Sequence, residues 1–214
     1  MNNKKYEVSL EIAGPIAMFT RPDTGAAPVS YPAPTYSATK GIFESVAWYE
    51  SAYIKPTKVE ICHPIRFEKY TTNYGGPLRK GGQIKIGASY QLPAVALIDV
   101  CYRLYGEVVD GDTKAAKGKN HLHALQEIFK RRLEKGQFYY TPFLGWKEFT
   151  PSYVGSFREK TKVENEVNLV IPSMLISPFV EDITSKNTQI DNNSRYANNV
   201  IIDKGVLDYT KMEC

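Results

Sequence analysis

Three histidines, His63, His121 and His123, hold the acid–base potential of this chain. Imidazole changes protonation near neutral pH, which suits it to general acid or base work. His121 opens a predicted helix, where it is either a reacting group or an ordinary exposed residue. His123 is a rival for that role or a solvated hydrogen-bonding residue, and His63, beside Pro64 in a predicted strand, reads as structural. No metal site is suggested, because the three are scattered and two imidazoles two residues apart on a helix point in different directions. Cations cluster around the same helix: Lys114, Lys117 and Lys119 precede it, and Lys130, Arg131, Arg132 and Lys135 lie at its end. Such runs suit a polyanion. They equally suit a solvated helix face with cations near its negative C-terminal end. Arg79 and Lys80 stand between Gly75-Gly76-Pro77 and Gly81-Gly82, in a loop whose glycines let a cation and its backbone close on a phosphate.

The elements that position these residues follow from periodicity. Tyr6, Val8, Leu10 and Ile12 alternate with Glu7, Ser9 and Glu11, the pattern of a half-buried strand ending at Gly14-Pro15. After a Pro- and Gly-rich loop to Pro34, a helix opens near Thr35 or Ser37, with Ala38, Ile42, Val46 and Tyr49 on its core face. A strand is predicted over Lys58 to Tyr70, with Pro64 at a bulge or edge, and the glycine-flanked Arg79-Lys80 loop follows. A long strand from Pro93 to Val109 leads to the second helix, about Asn120 to Lys135, which turns Leu122, Leu125, Phe129 and Leu133 inward and is closed by Gly136. A further strand within Tyr139 to Phe149 would complete a split βαβ pattern. Strands at Val167 to Ile171, Met174 to Val180 and Val200 to Tyr209 follow, around an Asn-rich stretch, Thr184 to Asn199, expected as an exposed loop.

Composition narrows the class. The chain has 214 residues, 43% hydrophobic and 23% charged, with a net charge of +4 and a sequence pI near 8.8, an ordinary globular balance that permits a polyanion partner without demanding one. Fifteen Tyr and nine Phe favour strands. Cys62, Cys101 and Cys214 are odd in number and widely spaced, so neither a disulfide framework nor a thiolate zinc site is indicated, and a reducing cytoplasm is expected. The polar start, Met1 to Lys5, lacks the apolar core of a signal peptide, and no apolar run is long enough to span a membrane. A small-molecule enzyme finds no support, since there is neither a phosphate-cradling glycine motif nor a nucleophile elbow.

Specific strings then carry a resemblance. Gly14 with Ala17-Met18-Phe19-Thr20-Arg21 follows strand one; Ser30-Tyr31-Pro32 leads to Pro34-Thr35-Tyr36-Ser37-Ala38 and Lys40-Gly41-Ile42-Phe43-Glu44-Ser45. His63-Pro64-Ile65, Gly136-Gln137 and Phe143-Leu144-Gly145-Trp146-Lys147-Glu148-Phe149 come later. In this order and spacing, over roughly residues 6 to 150, the chain resembles the Cas-five family of the type I-C (Dvulg) CRISPR system. The resemblance implies an α+β, ferredoxin-like domain, a modified RNA-recognition (RAMP) fold, over 1–150, with a small β-rich extension over 151–214. It implies a cytoplasmic subunit of a Cascade surveillance complex that holds the 5′ handle of CRISPR RNA and touches the large subunit and a backbone subunit. A contact with duplex DNA is left open, and no cofactor or metal is implied. Some members of the family also cut the precursor transcript without a metal: the ribose 2′-hydroxyl attacks the phosphate, leaving a 2′,3′-cyclic phosphate and a 5′-hydroxyl.

That cleavage needs a base at the 2′-hydroxyl, a cation at the phosphate and an acid for the leaving oxygen. In the cutting relatives a Gly-Lys-His string before the second helix supplies the last two, and a tyrosine or histidine near the end of the first helix completes the set. The string here is Gly118-Lys119-Asn120-His121-Leu122-His123, so the resemblance assigns Lys119 and His121 as counterparts, with His123 as the alternative imidazole. The chain departs from the pattern at Asn120, and at Ala47, where the tyrosine should stand; Tyr49 is the nearby substitute. Arg21, Lys40, Arg79, Lys80, Lys119, Arg131 and Arg132 are candidate phosphate contacts, and Phe19, Tyr36, Trp48 and Trp146 candidate base-stacking surfaces. The alternative function is a non-catalytic subunit that caps the RNA 5′ end while a separate nuclease does the cutting.

Overall fold

The alternating start forms strand β1, Glu7–Ala17, in a computed structural model that describes residues 5–25, 27–76, 79–111, 120–177 and 195–212. β1 pairs antiparallel with β4, Tyr90–Asp110, setting Leu10 opposite Leu104 and Ile12 opposite Tyr102. β4 also pairs with β2, Ala52–Ile61, and with β3, Phe67–Tyr74. Beyond these lie β5, Tyr153–Gly155, β6, Leu169–Ser177, β7, Arg195–Asp203, and β8, Val206–Asp208. Among the described residues they form one sheet in the order β5-β1-β4-β2-β8-β7-β6, with β3 on β4 off this path.

Two helices cover one face. α1, Tyr36–Val46, begins where the Thr35 side chain accepts from the Ala38 N–H, and buries Ile42, Phe43 and Val46. A five-residue helix, α2 (Gly81–Lys85), lies between β3 and β4, and α3, His121–Lys135, buries Leu125, Phe129 and Leu133. α3 ends at Gly136 in the left-handed region (φ 61). Phe43 and Phe129 meet with ring centroids 5.8 Å apart, joining the helices over Leu10, Ile12 and Leu104. The Tyr209 hydroxyl donates to the Pro34 carbonyl and pairs with Thr39 Oγ1, tying the chain beyond β8 to α1. The expected α+β class is therefore observed.

Several expected elements take a different form. The strand predicted over Lys58 to Tyr70 is two strands, because the chain leaves the ladder between Ile61 and Phe67, around Pro64. The Gly81-Gly82 stretch is helical, with the Gln83 side chain accepting from the Lys80 N–H. No strand forms within Tyr139 to Phe149. Pro142 supplies no ladder donor there, and Gly145 adopts φ 87 against the Met18 carbonyl, where a Cβ would collide. The outer position beside β1 goes to β5 instead. The two strands predicted around Pro172 are continuous as β6, with 178–180 of the second outside the described residues, and Val200 to Tyr209 is split into β7 and β8 by Lys204 and Gly205, both at positive φ. The first part of the Asn-rich stretch, 184–194, lies outside the described residues, whereas 195–199 belong to β7.

The opposite face carries charge. Glu11 is 0% exposed. Its carboxylate accepts from the Arg158 side chain at 2.6 Å, the Arg158 backbone N–H at 3.0 Å and Thr161 Oγ1 at 2.8 Å, with Arg103 at 3.5 Å. These bonds hold the segment after β5 across the sheet. Cys62 and Cys101, distant in sequence, are brought together beside this network as buried free thiols, with the Cys62 N–H donating to the Cys101 carbonyl at 2.9 Å. Burial acts to raise the Glu11 carboxyl, but the Arg158 and Thr161 hydrogen bonds and the Arg158 charge outweigh it and leave it below the ordinary carboxylate range. The stabilisation is therefore complete above the unfolded carboxylate pKa and is lost as pH falls through the lower folded value. Urea denaturation of Glu11→Gln should show a loss of about 3 kcal/mol at pH 7, the scale of a broken buried pair. Below about pH 4.3 the variant's stability should also fall less steeply than that of the parent. An unchanged urea midpoint at pH 7 would show that the clasp contributes nothing.

Candidate nucleic-acid interface

α1 is capped by Ala47, whose backbone turns extended (φ −147, ψ 123) while its N–H still donates to the Phe43 carbonyl. Ala47 is buried. The following residues cross to β2, and the Ser51 carbonyl accepts from the Gly111 N–H at the end of β4. His121, the first residue of α3, is placed beside that junction, its Nε2 3.1 Å from Asp110 Oδ1 and its side chain 14% exposed. A sequence-based assignment did not include Asp110; its position just before Gly111, closing a long strand, was the signal available.

The expected site residues are distributed unevenly. Lys119, with Lys114, Lys117 and Gly118, lies outside the described residues. His123 is exposed and rests near the Tyr6 ring, 6.0 Å between centroids, so the two imidazoles of α3 meet different neighbours. Tyr49 is not on the stripe of α1, because the helix stops at Val46; it lies in the connection to β2, half-buried against the core. His63 has its Nδ1 2.9 Å from the Asp99 carbonyl and 3.3 Å from its carboxylate, which Arg66 also engages, and Asp99 itself adopts φ 52 within β4.

The cations differ in how they are engaged. Arg21 is bidentate on Asp23, at 3.1 and 2.7 Å, a contact that raises its already high pKa. Lys40 lies 3.6 Å from Glu44 and 5.3 Å from the centre of the Tyr53 ring. Arg79 donates to the carbonyls of Gly76 and Ala88, at 3.1 and 2.7 Å, and so braces the chain around α2, where Lys80 is exposed. Arg132 donates to the Val46 carbonyl at 3.2 Å, satisfying an end of α1, and lies 5.9 Å from the Tyr139 ring centre; Arg131 is exposed.

The aromatic candidates separate by burial. Phe19 is 2% exposed and packs edge-on against Tyr102, so it belongs to the core and presents no face to a base. Tyr36 is half-buried against Tyr209, its pKa pushed up to about 12 by burial and then by the Tyr53 charge. Trp146 donates from Nε1 to Thr20 Oγ1 at 2.8 Å and stacks on Phe149. Trp48 is half exposed and stacks on Tyr139, a pairing hidden from sequence because α3 separates the two residues. Imidazole, cations and open aromatic faces bordering one sheet suit an anionic chain with unpaired bases.

The comparisons with known proteins place the chain. The profile of the family described as CRISPR-associated protein (Cas5) matches residues 8–171. The chain belongs to this Cas5 family, on its d-type branch. Over 177 residues it is 29% identical to a protein of Thermus thermophilus named CRISPR pre-crRNA endoribonuclease Cas5d, spanning 82% of this chain and 75% of the relative. A protein of the same name from Mannheimia succiniciproducens is 31% identical over 159 residues, 66% of this chain and 69% of the relative. A solved "Crystal Structure of CRISPR-associated Protein" superposes with a TM-score of 0.72 at 20% identity, covering 97% of this chain and 95% of the other. A chain of a "CRISPR RNA-guided surveillance complex" superposes with a TM-score of 0.52 at 14% identity, covering 95% and 92%. At these identities the structural likeness is one of fold.

The division between core and surface aromatics is measurable by urea denaturation. Phe19→Ala is expected to cost about 3 to 5 kcal/mol, as for a fully buried aromatic. Trp48→Ala should change stability by no more than about 1 kcal/mol. Equal losses at the two positions would contradict the assignment.

Proposed function

We propose that this chain binds the repeat-derived 5′ handle of CRISPR RNA in a type I Cascade complex and processes the precursor transcript by metal-independent cleavage within the repeat. The observation that carries the reading is family membership joined to two relatives named pre-crRNA endoribonucleases, together with His121 held by Asp110 at the head of α3. The strand order β5-β1-β4-β2 with α1 and α3 on one face supports a ferredoxin-like (RAMP) scaffold. Its RNA-binding unit is assigned to residues 1–150 and its β-rich extension to 151–214, from which β5 adds to the β1 edge while β8, β7 and β6 continue the sheet past β2. The large and backbone subunits of Cascade are its protein partners, with duplex DNA as a further ligand to test, and the cytoplasm is its compartment.

In the proposed reaction the RNA 2′-hydroxyl attacks the adjacent phosphorus, the 5′-oxygen leaves, and the products are a 2′,3′-cyclic phosphate and a 5′-hydroxyl. His121 gives the proton to the leaving oxygen, with Asp110 holding the imidazole in place. Lys119 neutralises charge on the phosphate, and the Tyr49 oxygen, having first given its phenolic proton to solvent, accepts the 2′-proton; His123 is the alternative imidazole. Arg131 contacts an RNA phosphate from α3 and Lys80 another from the α2 arm at the far end of β4, with Arg21, Lys40, Arg79 and Arg132 joining them where RNA displaces or shares their present partners. A second reading, a subunit that holds the handle without cutting, draws on Ala47, buried where cutting relatives carry a tyrosine.

Incubation with its own repeat RNA in EDTA separates the two readings. The expected outcome is cleavage that survives EDTA, falls about 100-fold or more in His121→Ala, and stops on a substrate with a single 2′-deoxy at the cut. Tight binding with the RNA left intact by the parent protein would establish the second reading.

A further inference from the structure

Three large aromatics are held open to solvent on one side of the α1–β2 connection. Trp48, Tyr139 and Tyr140 are 50%, 55% and 40% exposed. Trp48 and Tyr139 lie nearly parallel, 19° between planes and 6.0 Å between centroids, and Tyr140 meets Tyr139 at 66°. The group is fixed from behind: the backbone N–H groups of Tyr139 and Tyr140 both donate to the Ser45 carbonyl, at 2.8 and 3.2 Å, and the Tyr140 hydroxyl donates to the Gly41 carbonyl at 3.0 Å. Arg132 stands beside the Tyr139 ring, with the exposed Arg131 and Lys135 on the same helical end. Nearby Glu44 lies within reach of Lys40.

We infer that Trp48 and Tyr139 form a stacking subsite for one unpaired nucleobase of the bound RNA. The inference rests on the RNA-binding reading above and adds a position to it. Stacking needs rings that are open on a face and already immobilised, and both conditions hold here. Cations beside the rings match the phosphates that must accompany a base. Trp48 is three residues, at most about 11 Å of chain, before Ser51, whose carbonyl accepts from Gly111 at the end of β4. Tyr139 follows the C-terminal end of α3 and His121 opens that helix, about 21 Å of helix away, so a base on Trp48 would belong to a nucleotide several steps along the RNA from the cut.

The test uses the full chain and its own repeat RNA, with a single 2′-deoxy at the cut to prevent turnover and an abasic residue placed at each unpaired position in turn. One abasic position should cost the parent protein about tenfold in affinity. Trp48→Ala should lose about tenfold on intact RNA and nothing further on that abasic RNA, whereas Trp48→Phe should behave like the parent. Equal losses by Trp48→Ala on intact and abasic RNA would overturn the subsite while leaving RNA binding in place. Unchanged RNA affinity with weakened association to other Cascade subunits would also overturn it, and would give the patch to a protein partner. A parent protein that holds no repeat RNA at all would overturn both the subsite and the reading beneath it.

Discussion

The hydrogen-bond ladder of β4 is the constraint on which the remaining structure depends. One strand of 21 residues pairs with β1 along one edge and with β2 and then β3 along the other. Every register in the central sheet is thereby referred to a single segment, and a one-residue slip would move Leu104 and Tyr102 off the helix face. At Asp99 the strand adopts a left-handed backbone, with Arg66 and His63 on its carboxylate and carbonyl, and near there β3 takes over from β2. Its far end presents Asp110 to His121. The same ladder thus sets the core, the direction of the arm that carries α2, and the seat of the candidate acid.

The two faces of the sheet are filled by different physics. On one, α1 and α3 exclude water with Ile42, Phe43, Leu125 and Phe129, a non-directional association that tolerates small shifts. On the other, Glu11 fixes a crossing segment through directed bonds from Arg158 and Thr161, which tolerate little displacement. α1 stops early, Arg132 satisfies its Val46 carbonyl, and the short run to Ser51 is released to carry Trp48 and Tyr49 between the helix ends.

Much of this frame was legible in the residues. Strict alternation named β1, a helical stripe named the inward residues of α3, and Thr35 and Gly136 marked helix boundaries because capping is local chemistry. The misreadings arose where tertiary contact decides. Tyr49 fits the α1 period in sequence, but the helix ends at Val46, and local pattern does not register that end. β5 is three residues long and exists because β1 offers an unpaired edge. Glu11 looked like the polar side of a strand, since the groups that bury it arrive from residues far along the chain. The Trp48–Tyr139 stack was hidden for the same reason, since α3 and the central strands lie between its two residues in sequence.

The central claim is that the His121 imidazole protonates the departing 5′-oxygen. Replacing that oxygen with sulfur tests it most directly, because a thiolate leaves without help from an acid. The measurement is the single-turnover cleavage rate of repeat RNA carrying a 5′-bridging phosphorothiolate at the cut, for the parent protein and His121→Ala. On this account the variant, slowed about 100-fold or more on ordinary RNA, should cut the sulfur substrate nearly as fast as the parent. An equal defect on both substrates would contradict the assignment of His121 as the acid.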